Sequence, residues 1–489
     1  MKELNKNLVK KVQRPVKVVQ FGEGNFLRAF VDYMIDIAND KGFFDGDIVI
    51  VKPINFGNLD NFYKQDYLYT VSLRGYMNGE ECTEQRIVTS LADAVDTYSE
   101  YNKYAELAKL DTLRFVVSNT TEAGIVFDET DQFDLTPCKS YPGKLTKFLY
   151  ERYQHFQGDL SKGLIILPVE LIDDNGHRLK EIVFQLAKLW ELEEGFVTWL
   201  QEACIFTSTL VDRIVTGFPR DEAEDMWKDL GYVDNLLVTG EPFGLWVIES
   251  DRPIKDELPL DQAGLPVIFT DNQKPYKQRK VRILNGAHTS FSLASYLAGN
   301  DYVMESMKDE DIRGFMSKTI FDEIIPTLDL PKEDLLSFAN AVMDRFLNPY
   351  IKHELLSISL NSVSKWRARC MPSLFGYVER FEKLPQHLSF SLAALMIFYR
   401  GDEIRNGVLI AHRNGQEYQV KDDKEVLEFF VANADKAADQ IVLDFLSNTS
   451  FWGQDLNKVP GLTESITGYV KEIESLGVRE ALRKNQLVY

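Results

Sequence analysis

The sequence is poor in cysteine. Only four occur in 489 residues, and Cys82, Cys138, Cys204 and Cys370 stand far apart, with no C-x-x-C pair and no histidine at ligand spacing beside them. A thiolate zinc centre is excluded, no metal is expected, and the four are read as reduced thiols in or near a core, in keeping with a reducing compartment. Long apolar runs are also missing: nothing approaches the roughly 18 residues of a membrane span. The opening MKELNKNLVKKVQRPVKVVQ lacks the short apolar core of a signal peptide, so the expectation is a cytoplasmic protein with no membrane partner. Positive charge is scarce, with 55 Lys and Arg against 75 Asp and Glu and a formal net charge of -20. Binding to a phosphate backbone depends on cations neutralising it, so nucleic acid is excluded as a partner.

What is present suffices for two large cores, because 489 residues exceed the size at which one core stops growing. Between about residues 16 and 270, short β-branched runs alternate with helical patterns, the rhythm of a parallel sheet wrapped by crossover helices. VKVVQF, DIVIVKPI, LRFVVSN and GLIILPVEL are the clearest strands, each nearly continuous in apolar residues as befits burial on both faces. From about Lys274 the texture changes to amphipathic segments such as DIRGFMSKTIFDEIIPTL, KEDLLSFANAVMDRFLN and FSLAALMIFYR, with few strand signals. The polar, proline-bearing stretch TDNQKPYKQ separates the textures, giving expected domains 1–272 and 273–489.

The first strand runs into a glycine turn and an amphipathic helix, VKVVQFGEGNFLRAFVDYMIDIAND, which is the context a dinucleotide fingerprint requires. Gly22 makes the turn, Gly24 lets backbone approach a pyrophosphate at the positive end of the helix, and Asn25 could cap that helix. Phe21 and Phe26 flank the turn, and Asn119 and Glu122, in VVSNTTEAGI, complete the expected cofactor-binding set together with Lys52. Two departures stand out: Leu27 replaces the third glycine, and the second strand ends in Lys52 rather than a carboxylate. A cation there could tolerate a 2′-phosphate, so this strand leaves NAD and NADP both open. A turn serving only strand-to-helix packing is the bland alternative.

In KPYKQRKVRILNGAHTSF, Lys274, Lys277, Arg279, Lys280 and Arg282 cluster with no acid among them, a local reversal of charge that points to an anion unless it is simply a solvated face. Taken as one α-helix at about 100° per residue, Lys280, Asn285 and His288 fall within an arc of about 140°. Oxidising a secondary alcohol needs a base for the hydroxyl proton and a donor for the oxyanion, and a lysine with an asparagine amide supplies both. Arg279 and Arg282 are close in sequence and would disfavour a charged Lys280. Schiff-base chemistry at Lys280 is a different use of the same amine.

Four strings carry a family resemblance: G-x-G-x-F-x-R-A-F at the first turn, QDYLYT at 65–70, STLVDRIV at 208–215 and K-x4-N-x2-H at 280–288. The chain resembles the long-chain mannitol dehydrogenase family from about residue 16 onward. VELIDDNG, TLVDRIVTGFPRDE and RFLNPYIKHELLSI resemble a branch of it acting on keto-uronic acids. The resemblance implies an α/β fold, with an N-terminal Rossmann-like dinucleotide-binding domain and a mostly α-helical C-terminal domain, and metal-independent hydride transfer with NAD. It also implies Lys280 as acid/base, Asn285 at the oxyanion and His288 orienting substrate. In VELIDDNG, Leu171 stands where the family has a second oxyanion asparagine, so Glu170, Asp173 or Asn175 could substitute, or serve only the strand end.

The expected partner is a small sugar acid, whose carboxylate needs a fixed cation. Lys352, His353, Lys365 and Arg367 concentrate polar groups in an otherwise apolar stretch and are the candidates, against the alternative of helix surface charge. A reductase of the neighbouring keto-uronate fructuronate, a neutral-polyol dehydrogenase and a non-catalytic dinucleotide-binding scaffold are the competing functions.

Overall fold

The computed structural model describes residues 1–121 and 123–488. Two compact units emerge: Met1–Arg74 with Glu81–Gln273, and Gly75–Glu80 with Lys274–Tyr489.

The first unit is built on a six-stranded parallel sheet. Its strands are β1 (Val16–Phe21), β2 (Asp47–Lys52), β3 (Leu91–Asp96), β4 (Phe115–Ser118), β5 (Ile165–Pro168) and β6 (Ile205–Phe206), in the spatial order β3-β2-β1-β4-β5-β6. That order places the reversal of winding beside β1, where such sheets open a ligand crevice at their carboxyl ends. The apolar runs of β1, β2, β4 and β5 follow from burial on both faces. Val18, Ile48, Ile50, Phe115 and Ile165 enter one core, while Val19, Val49, Val51, Val116 and Ile166 enter the other. Three smaller sheets complete the unit: one in the spatial order 208–212, 245–249, 267–270, one in the order 215–217, 238–240, 69–77, 80–88, and the short pair of Lys2–Glu3 with Tyr232–Val233.

The helix after the glycine turn is not uniform. Asn25–Leu27 and Tyr33–Asp40 are α-helical, but Arg28–Asp32 between them is a π-helical turn whose five residues are all buried.

The second unit is mostly helical, as the amphipathic segments predict. Its centre is the nearly all-buried helix Gln386–Phe398, packed on Gly286–Leu297 and Leu462–Leu476. The exception is a three-stranded antiparallel meander, Gly401–Arg405, Val408–Arg413 and Gln416–Val420. Both of its turns are Asn-Gly pairs, Asn406-Gly407 and Asn414-Gly415, with positive φ at every residue, the geometry that matches hairpin twist. Residues 75–80 are the tip of the hairpin formed by Tyr69–Met77 and Glu80–Val88; there the Gly79 N–H donates to Asp344 Oδ2 at 3.1 Å.

Candidate active site

In the first unit the glycine turn has the shape the fingerprint requires. Gly22 sits at φ +125°, and a Cβ there would lie 3.1 Å from Leu27 Cδ1 and 3.4 Å from the Asn119 carbonyl oxygen, so only glycine fits. A Cβ on Gly24 would meet nothing within 4 Å, which leaves open space above the helix N-terminus for a phosphate group. The residues present therefore fit a dinucleotide. Phe21 is buried under the turn, and Phe26 stacks on Phe30 with centroids 5.0 Å apart. Asn119 donates to the Val169 carbonyl at 3.0 Å, tying the tip of β4 to that of β5. Glu122 lies outside the described residues.

Asn25 does not cap the helix. Gly24 holds the cap position without a side chain, and Asn25, already in the first turn, accepts from Arg28 Nη2 at 2.6 Å. Lys52 is also not an open cation. Its ammonium is 1% exposed and bonded to the Ile54 carbonyl at 2.6 Å and to Asp96 Oδ2 at 3.0 Å.

The strand-end segment VELIDDNG contributes structure. Asn175 is fully buried. Its amide donates to the carbonyls of Pro168, Glu170 and Thr209, and its oxygen accepts from the N–H groups of Gly176 and Thr209. Nothing is left on it to donate to a substrate. Glu170, its pKa raised by burial, accepts from Ser118 Oγ, Thr120 N and Thr120 Oγ1. Leu171 is 66% exposed, and Asp173 sits exposed beside it.

In the second unit Lys280–Asn285 is a π-helical turn leading into the α-helix Gly286–Leu297, so the 100° spacing expected of a single α-helix does not hold across it. The Gly286 N–H reaches back to the carbonyl of Val281, five residues earlier. In such a turn residues five apart stack, which puts Lys280 and Asn285 on one face; π turns are frequent at functional sites. Lys280 and Asn285 are half-buried. Arg282, its pKa lowered to about 10 by burial, donates to Ser373 Oγ at 2.6 Å and Thr327 Oγ1 at 2.7 Å, while Arg279 lies over the Phe338 ring at 4.5 Å.

His288 packs on Phe346, with ring centroids 4.4 Å apart, and meets His353 edge to face at 5.0 Å. Its Nε2 is buried without a hydrogen-bond partner. Burial first, then His353, Arg345, Arg369 and Lys365, drives its pKa well below the ordinary value. Of the four candidates for holding an anion, the fold brings His353 and Lys365 to this cluster. Lys352 is exposed, and Arg367 is exposed and turned to the carbonyls of Ser450 and Phe451, at the C-terminus of helix Thr449–Trp452. Arg345 and Arg369 were not expected. Arg369 donates to Thr289 Oγ1 at 3.3 Å, on the turn that follows Asn285. Helix Ser362–Arg369 explains the choice: Lys365 and Arg369 are i, i+4 on one face and Arg367 is not. Burial lowers the pKa of both, and Arg369 lowers that of Lys365 further. Among the described residues no group of three or more His, Cys, Asp and Glu is gathered to hold a metal ion.

A glycine turn on this six-stranded sheet, and a separate helical unit carrying a lysine, an asparagine and a histidine amid cations, define a dehydrogenase. The chain matches the mannitol dehydrogenase Rossmann domain over residues 16–262 and the mannitol dehydrogenase C-terminal domain over 272–474, and it belongs to that family. Its relatives include altronate oxidoreductases of Shigella flexneri and Escherichia coli O1:K1, each 46% identical over 99% of both chains. The fold matches a substrate-free D-sorbitol dehydrogenase with a TM-score of 0.78 at 21% identity, over 98% of this chain and all of that one. Pseudomonas fluorescens mannitol 2-dehydrogenase, in ternary complex with NAD and D-mannitol, matches with a TM-score of 0.65 at 21% identity over 99% of both chains.

Proposed function

We propose that the chain interconverts D-tagaturonate and D-altronate by hydride transfer with NAD, in the catabolism of hexuronates such as galacturonate. Near-full-length likeness to altronate oxidoreductases supports this reading. The observation that carries it is the cation cluster around His288. A neutral polyol asks for hydrogen bonds but no fixed charge, whereas a keto-uronate brings a carboxylate that a pair of cations one helical turn apart can hold. Lys365 and Arg369 are that pair, with His353 and Arg345 within electrostatic reach of the same His288.

Bound NAD supplies or accepts the hydride. In reduction the Lys280 ammonium gives its proton to the substrate carbonyl oxygen; in oxidation the free amine takes the hydroxyl proton, a role typically worth about 10²–10⁴ in rate. The Asn285 amide donates to the same oxygen as negative charge develops on it. His288, kept neutral, offers Nε2 to a neighbouring hydroxyl and fixes the orientation of the sugar chain.

The test is NADH consumption with tagaturonate, fructuronate and fructose in parallel. Tagaturonate should be reduced fastest. Preference for fructuronate would move the assignment to mannonate chemistry, and preference for fructose would remove the carboxylate argument altogether.

A further inference from the structure

NAD and NADP differ by one phosphate on the adenosine ribose, the part of the ligand that lies over the tip of the second strand in this class of sheet. In this chain that tip carries Lys52, which invites the expectation of phosphate tolerance. The ammonium is turned inward to the Ile54 carbonyl and Asp96 Oδ2. The exposed member of the pair is the anion, since the Asp96 side chain is 21% exposed and that of Lys52 only 1%. Asp96 closes β3, the strand beside β2, and stands opposite Lys52 in the register. Its position is fixed from several sides: the Tyr98 N–H donates to Oδ1 at 2.9 Å and the Thr97 hydroxyl donates to the Lys52 carbonyl at 2.9 Å. Against burial, which alone would raise its pKa, these N–H groups and Lys52 hold Asp96 below the usual carboxylate value. Two further acids stand near the pair: Glu100, whose Oε2 accepts from the Asp96 N–H at 3.3 Å, and Glu23 of the glycine turn, within electrostatic reach of Lys52, Asp96 and Arg28.

We propose that Asp96, supplied by the third strand and held in place by Lys52, is the residue that selects the unphosphorylated dinucleotide. A carboxylate in this position accepts from ribose hydroxyls and repels a 2′-phosphate, while the cation that could have welcomed the phosphate is consumed by the same ion pair. The selectivity signal has thus moved from the second strand to the third. The inference rests on the reading of the glycine turn as a dinucleotide site.

The experiment is a binding titration without sugar substrate, following NADH and NADPH fluorescence on the full chain and on Asp96→Asn, Asp96→Glu and Asp96→Asn/Lys52→Met. The wild-type chain should prefer NADH. Asp96→Asn removes the repulsion and frees Lys52, so the preference should fall by about tenfold or more, equivalent to one step of ~1.4 kcal/mol. Asp96→Glu should keep the preference, and adding Lys52→Met to Asp96→Asn should weaken NADPH again. An NADH-to-NADPH ratio unchanged in Asp96→Asn, with a native melting transition, would overturn the proposal. If Asp96→Asn does not fold, loss of the preference in Asp96→Glu overturns it. Failure of the wild-type chain to bind either dinucleotide would overturn the cofactor reading beneath it.

Discussion

His288 and His353 meet with their ring planes at 79° and centroids 5.0 Å apart, and both imidazoles are held neutral. Burial is the main cause for each; His353 and the surrounding cations add to it for His288, and Lys365 for His353.

This pair makes stability depend on pH. The unfolded chain protonates each ring near its ordinary value of 6.5, and the folded chain does so only at lower pH. As pH drops below 6.5 the unfolded chain takes up protons that the folded one refuses, so stability is full above that value and declines beneath it. Melting points followed from about pH 7.5 to about 5.5 should show this slope, bracketing the free imidazole value. His288→Asn should flatten it, and an unchanged slope in that variant would refute the assignment.

Removing the cations should divide along the helix face. Lys365→Ala and Arg369→Ala should raise KM for a keto-uronate by about tenfold or more each, because a charge-assisted bond to the carboxylate is worth roughly 1.5–3 kcal/mol. Arg367→Ala should leave KM alone and cost at most about 1 kcal/mol of stability through a lost helix-terminus contact. Steady-state kinetics on the three variants distinguishes this from a diffuse electrostatic effect, in which all three would raise KM equally.

At the chemical step, Lys280→Ala should lower kcat by about 10²–10⁴, and Asn285→Ala by roughly 10²–10³. NADH affinity, measured by fluorescence, should be retained in both. Borohydride trapping of a substrate adduct on Lys280 would replace proton transfer with Schiff-base chemistry.

Asn175 is expected to matter for folding alone. Asn175→Ala takes the side-chain acceptor from the buried N–H groups of Gly176 and Thr209, while the carbonyls of Pro168 and Glu170 keep second donors in Thr209 Oγ1 and the Ile172 N–H, a loss of roughly 2 kcal/mol or more at about 1–3 for each buried orphan. Denaturant titration should show it, while kcat of the folded fraction stays near wild type. A selective fall in kcat would restore Asn175 to the oxyanion.

Asp32, in the π turn after the glycine loop, is buried with its pKa raised to about 7 by desolvation, despite bonds from Tyr69 and Gln20. Between its ordinary 3.8 and about 7 the folded chain holds a proton that the unfolded one has released, so this group's contribution falls as pH rises through that window. Asp32→Asn should therefore raise the melting point at pH above about 7 relative to wild type and change it little near about pH 4.

The parallel sheet was legible because buried strands must be apolar on both faces, and the long helices because their apolar stripes repeat. The meander 401–420 is not among the sequence expectations, because its short strands stand in a helical context, although its two Asn-Gly pairs are hairpin signals. Arg369 could have been chosen over Arg367 from i, i+4 spacing with Lys365. Asp96 could not, because its partnership with Lys52 depends on strand order, which no local pattern encodes. The π turns were equally hidden: KVRILNGAH has the composition of an ordinary helix, and only tertiary packing selects the wider ring.

That wider ring settles the chemistry of the second unit by count rather than by kind. Wound as a regular α-helix, the same residues would put Asn285 about 140° around the axis from Lys280; taking a fifth residue into the ring returns the amide to the lysine's side. Composition and charge are identical in the two windings. A change elsewhere that let the ring close to its ordinary size would cost the activity while every residue of the site stayed in the sequence.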